Sequence, residues 1–192
     1  DNEAIAIDEL EANLYKAELT DEYGRPIDGA PGRTFWDAEI TAVSVALVAA
    51  GQDGATVEQM KAALEAYKGL TDRQKYNLDA SVLPRVKVIE QKLATAVKGL
   101  KLTASSKATK GAITVKWTVK GDKTAADGYQ IWKSTKMNKG YKKAFTTTKM
   151  SYKNTKGLKK GVKYYYKVRA YKVVDGKNVY SDWSNKAYRT AK

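Results

Sequence analysis

Hydrophobic positions along this chain change their spacing near residue 100, and with it the kind of element they predict. Over residues 8–20, Leu10, Leu14 and Ala17, with Ile7 loosely added, fall three and four apart, which puts them on one stripe of a helix. Residues 24–32 hold two Pro and three Gly and read as a loop. A second helix is predicted from Thr34 to Gly51, buried on Phe35, Trp36, Ile40, Val43, Leu47 and Val48. Thr56 with Gln59 makes a capping box for a third helix to about Lys68, with Val57, Met60, Leu64 and Tyr67 inward. Thr71 with Gln74 repeats the device for a short fourth helix to about Leu78. Pro84, whose missing N–H has no partner in a first turn, opens a fifth helix to Val97. Its apolar steps, Val82, Val86, Ile89, Leu93 and Ala96, suit packing at a shallow angle. Residues 1–98 are therefore expected to form a small helical bundle or spacer domain.

From Leu100 the period is two. Ile113, Val115, Trp117 and Val119 alternate with Thr114, Lys116, Thr118 and Lys120, a half-buried strand. Tyr129 and Ile131 alternate with Gln130 and Trp132. Shorter, more polar strands follow at 141–147 and 150–153. The longest run, 162–173, puts Tyr164, Tyr166, Val168 and Ala170 on one side and Tyr165, Lys167, Arg169 and Tyr171 on the other. Asp175-Gly176 turns the chain and 179–189 returns it. Seven short strands in about ninety residues predict an antiparallel sandwich over 99–192. The fold class expected is all-α followed by all-β.

Charge divides at the same place. Residues 1–98 hold 17 Asp+Glu and 11 Lys+Arg, a net of −6; residues 99–192 hold 4 and 24, a net of +20. Most of the Tyr and Trp lie in the second half. With no Cys and no His, the chain has no disulfide, no thiolate nucleophile, no Cys- or His-based metal site and no Ser-His-Asp arrangement. No apolar run reaches the length of a membrane span. The acidic start, Asp1-Asn2-Glu3, does not read as a signal peptide, although a processed one could precede it. Gly24, Gly29 and Gly32 lack the spacing of a phosphate loop. Glu9, Glu11, Glu18, Asp21 and Glu22 match no calcium loop and read as a solvated helix face. No enzyme, cofactor or metal is expected.

Two resemblances follow from particular residues. The stretch containing Ala63, Tyr67, Leu70, Thr71, Gln74 and Lys75 resembles the short helical modules of bacterial cell-surface proteins, which implies a spacer. Trp117, the run Gly-Tyr-Gln-Ile-Trp at 128–132 and the run at 157–170 resemble a fibronectin type III module. That resemblance implies an immunoglobulin-like sandwich in which Leu158 precedes a corner Tyr, Tyr164, whose hydroxyl bonds back to the chain. Lys160 stands where the family usually has Pro. Tyr-Ser-Asp-Trp-Ser-Asn at 180–185 resembles the Trp-Ser-x-Trp-Ser stretch of cytokine-receptor modules. The core expected is Trp117, Tyr129, Leu158, Tyr164, Tyr166 and Val168.

Alternation leaves Trp132, Tyr165, Lys167, Arg169, Tyr171 and Trp183 outward, a candidate ligand face on which flat rings beside cations stack on sugars or meet anionic polymers. The competing expectation is a structural ladder with Arg169 held between Trp183 and a neighbouring ring. Lys133, Lys136, Lys139, Lys142, Lys143, Lys149, Lys153, Lys156, Lys159 and Lys160 crowd the middle of the domain, where they either bind polyanions or guard exposed strand edges. Sequence-specific nucleic-acid reading is not expected, since no reading motif is present. The resemblances imply a bacterial surface or secreted protein with neighbouring domains in a longer parent chain. Its partners would be wall polymer, host glycan or host protein, and the module would act as a non-enzymatic spacer or adhesion element.

Overall fold

The computed structural model describes residues 33–192, with side chains from Ala38 onward except Arg73 and Tyr76. The helix expected over 8–20, the loop over 24–32, the carboxylates between Glu9 and Glu22, and the side chains of Phe35 and Trp36 lie outside the described residues. The chain divides into two compact units, Asp1–Ile89 and Glu90–Lys192, and the division falls inside the last helix.

In the first unit, α1 (Arg33–Gly51) buries Ile40, Val43, Leu47 and Ala50, a stripe of three- and four-residue steps. Val48, expected inward, is exposed because it follows Leu47 by one residue and so points about a quarter-turn away. The capping box that opens α2 (Val57–Gly69) forms in both directions. Gln59 N–H donates to Thr56 Oγ1 at 3.1 Å, and Thr56 N–H donates to Gln59 Oε1 at 2.9 Å. Thr71 and Gln74 exchange the same pair of bonds at the start of α3 (Asp72–Tyr76). Gln74 then does more than cap: it is buried, and its Nε2 donates to Glu39 Oε2 on α1 at 2.6 Å. Lys75 sits over the Tyr67 ring. The residues that resemble a surface-protein module are thus caps and packing contacts of a helical turn. In α4 (Leu83–Gly99) the buried stripe is Ile89, Leu93 and Val97, with Val82 just before it; Ala96 is only half-buried, the step from Leu93 being four rather than three.

After the end of α4, residues 101–192 of the second unit form two antiparallel sheets. One has the order β1 (Lys101–Thr109), β2 (Ala112–Lys120), β5 (Ser151–Asn154). The other runs β4 (Lys142–Thr147), β3 (Gly128–Ser134), β6 (Lys163–Val174), β7 (Lys177–Tyr180), with β8 (Ala187–Thr190) also on β6. Eight strands form where seven were expected, because the returning run splits into β7 and β8. The Asp175-Gly176 turn between β6 and β7 has both residues at positive φ, 49° and 69°, the geometry that two-residue hairpins favour.

Trp117, Tyr129, Tyr164, Tyr166 and Val168 are buried, and Trp117 meets Tyr129 edge to face at 5.4 Å. Tyr164 closes the corner: Lys159 N–H donates to its hydroxyl at 2.9 Å, and the hydroxyl donates to Gly157 O at 3.2 Å. Leu158, expected in the core, is half-buried. It rides on the connection before β6, where the Tyr164 hydroxyl rather than an apolar side chain ties the loop down. Asn154 and Tyr166, both fully buried, satisfy each other at 2.8 Å, and burial pushes the Tyr166 phenol up to about 12.

Candidate functional site

The outer face of the larger sheet is built from register. On β6 the odd-numbered residues point out, and β3 sets Gln130 opposite Arg169 and Trp132 opposite Lys167. The third contribution comes from residues 181–186, which leave the ladder between β7 and β8. Here serine replaces backbone pairing. Ser181 donates its N–H to Ala170 O at 3.1 Å, and its Oγ accepts the Ala170 N–H at 2.9 Å. Ser184 does the same two residues along, with 2.8 Å to Val168 O and 3.0 Å from Val168 N–H. Each hydroxyl passes its own proton to the next carbonyl, Asp182 O or Asn185 O. Both serines are buried, so the chain between them lifts outward and carries Trp183 over the odd positions of β6.

A ladder of rings and cations results. The Arg169 guanidinium lies 3.4 Å from the Tyr180 ring centroid, 4.5 Å from Trp183 and 5.7 Å from Trp132. Lys167 Nζ lies 4.0 Å from Trp183 on its other flank and 4.7 Å from Tyr141. Trp132 and Trp183 meet edge to face at 5.7 Å. Arg169 is further fixed by two donors, Nε and Nη2, on Gln130 Oε1 at 3.2 and 3.0 Å. Burial, the largest cause in each case, pulls both cations below their ordinary values, with Arg169 and Lys186 adding to the effect on Lys167. Each contact of this kind is worth about 0.5–2 kcal/mol, more as water is excluded. The Trp132 indole N–H finds no acceptor among the described residues, so this ring contributes area and π-face rather than a hydrogen bond.

Of the six residues expected on this face, Trp132, Lys167, Arg169 and Trp183 come together. Tyr165 leaves the group to pair with Tyr188, ring centroids 5.7 Å apart. Tyr171 lies over Gly128, where an added Cβ would stand 3.0 Å from its ring and 2.9 Å from Thr147 O, so no other residue fits that strand position unaltered. Tyr141, Tyr180 and Gln130 are members that pattern reading passed over. Gln130 was open to inference from parity, being outward on the strand beside β6. Tyr141 and Tyr180 come from a loop and a strand end, where alternation carries no information.

Strand order β1-β2-β5 against β4-β3-β6-β7, with the tyrosine-held corner, makes this a fibronectin type III-like sandwich that follows the helices along the chain. No protein-family model and no curated protein matches the chain. Solved structures do. The chain is similar to a Fn3-like protein from Clostridium thermocellum, at 25% identity over 50% of this chain and 95% of that one, with a TM-score of 0.38. It is also similar to the fibronectin type-III domain of human fibronectin type III domain containing protein 3, at 23% identity over 46% and 84%, TM-score 0.37. A third is a β-1,2-glucanase from Parabacteroides distasonis, at 26% identity over 50% of this chain, TM-score 0.40; the match spans 13% of the glucanase's length. No helix among the described residues is long and apolar enough to cross a membrane.

Proposed function

We propose that the chain is a non-catalytic module of a bacterial surface or secreted protein, a helical spacer (1–98) followed by a sandwich (99–192) that folds on its own. In this reading it holds neighbouring domains of a longer parent chain apart. The observation that carries it is the ladder: Arg169 and Lys167 sit between rings, and Arg169 also spends two donors on Gln130, so the conspicuous aromatic face is satisfied from within. Two Arg169 donors are committed to Gln130 of β3, and both cations are held against the Trp183 ring, which braces β6 against β3 and the 181–186 segment. The absence of Cys fits a reducing cytosol as well as a surface where disulfides are seldom used, so it is the family resemblance that favours the surface.

The test is the sign of two substitutions. Arg169→Ala and Trp132→Ala should each lower the unfolding midpoint of the sandwich, the loss of stability being about 2–3 kcal/mol for Arg169→Ala through lost cation–π contact and stem packing. Thermal melts followed by near-UV circular dichroism would read this. Variants as stable as the parent would mean that the face is decoration on the fold and open to a ligand, which would overturn the reading.

A further inference from the structure

The basic charge that the ladder leaves over is gathered elsewhere. From Gly128 to Val174 there is no Asp or Glu. The acids of the sandwich lie outside that stretch, and two are already paired: Asp182 takes Lys101 at 2.6 Å, and Asp127 takes Lys172 at 3.1 Å. The acid-free stretch folds so that β4, the edge of the larger sheet, and β5, the edge of the smaller, border one cleft of about 1000 Å³. Its walls carry Lys133, Lys142, Lys143, Lys153, Lys156 and Lys159 and no acid. Among the described residues none of the six pairs with a carboxylate. Phe145 of β4 and Tyr152 of β5 stack across the cleft, centroids 4.9 Å apart at 18°, and Phe145 remains 48% exposed.

Lys133 shows how the walls are held. It is half-buried, its Nζ donates to Lys156 O at 3.5 Å, and it lies 5.5 Å from the centroid of the corner ring of Tyr164. Ser134 Oγ, donating to Lys139 O and accepting from Lys136 N–H, fixes the loop that leads into β4. The cations therefore stand on ordered backbone rather than on a loose tail.

We propose that this cleft binds a linear acidic polysaccharide, whose carboxylate or sulfate groups lie against the lysines while its sugar faces pass over the Phe145–Tyr152 pair. The composition favours this class over nucleic acid. All six cations are Lys, which offer point charges suited to many anion geometries, and none is Arg, whose guanidinium plane stacks on bases and reads their edges. The inference is independent of the spacer reading, since the cleft shares no residue with the Arg169 ladder.

Fluorescence titration of the full chain against a size-defined heparin oligosaccharide and a polyuronate of equal length tests it. Single-stranded DNA of matched charge is the third arm. Saturable binding of both glycans at ~50 mM salt, weakened at least tenfold by ~300 mM, is expected. Lys142→Glu/Lys143→Glu/Lys153→Glu, all at exposed positions, should weaken it about tenfold or more. Lys120→Glu/Lys123→Glu/Lys177→Glu, which changes net charge equally at exposed positions that do not line the cleft, should cost no more than about threefold. Phe145→Ala should weaken glycan binding with an unchanged salt slope. Equal losses in the two triple variants would reduce the site to diffuse attraction by net charge. DNA binding as tight as the glycans would replace the ligand class. No binding in any arm would leave the lysines as guards of two strand edges. Each of these outcomes overturns the proposal.

Discussion

The two faces of β6 use nearly the same alphabet for opposite ends. Inward, Tyr164 and Tyr166 are buried and spend their hydroxyls on a corner and on Asn154. Outward, Tyr165 and Tyr171 are half-buried, and what stands between them is Lys167 and Arg169 instead of Val168 and Ala170. A ring on the inner face is worth its area, because it leaves water completely. A ring on the outer face is worth its area plus the field it offers a cation, because that cation is only partly desolvated and keeps its charge. Stability is thus added on both sides of one strand by two mechanisms that respond differently to substitution.

The contrast can be broken first from the inside. Trp117→Ala removes a buried ring that meets Tyr129, and should cost the sandwich about 3–5 kcal/mol, a large share of the stability of a domain this size. Calorimetry of the full chain should show the helical transition persisting; its loss together with the sandwich would refute independent folding of 1–98 and 99–192. Next in size is Tyr166→Phe, which orphans the Asn154 Nδ2 donor in the core and should cost about 1–3 kcal/mol near pH 8. Its pH dependence sharpens the comparison. The fold keeps this phenol neutral to about 12, against 10.0 ordinarily, so the stability it confers is present below pH 10 and fades as pH rises toward 12. Urea midpoints of parent and variant should therefore converge between those values. An unchanged gap would mean that the phenol is not held neutral.

The smallest effect belongs outside. Arg169→Lys keeps the charge but loses the planar stack on Tyr180 and the fork on Gln130, and should cost about 1 kcal/mol by chemical denaturation. No measurable change would show that charge alone, not ring geometry, supports the outer face.

Much of this was legible before any coordinates, and the reason is parity. Once β3 and β6 are recognised, every second residue is assigned to a side, and Trp132, Lys167 and Arg169 follow; Trp183 lies off the ladder and reaches the same face through the 181–186 segment. Parity says nothing where the chain leaves the ladder. Tyr141 lies on a loop, Leu158 was counted as core although it rides a corner, and residues 181–186 were read as part of one strand although serine hydroxyls interrupt it. The lysine cleft was visible only as density, because its walls come from two edge strands of different sheets, and which edges face each other is a property of topology. In the helical unit, capping boxes located α2 and α3 closely. The Gln74–Glu39 contact joins residues 35 apart and has no local signature.

The seam between the first and last strands of the sandwich carries a mechanical consequence. Asn185 bonds both the N–H and the carbonyl of Ala104, Ser106 Oγ reaches Tyr188 O, and Gly111 N–H reaches Lys192 O, so the two segments advance side by side in the same direction. Chain enters at one end of that seam and leaves at the other. Tension applied between entrance and exit slides the segments past each other and loads the cross-bonds together in shear, where peeling would break them one after another.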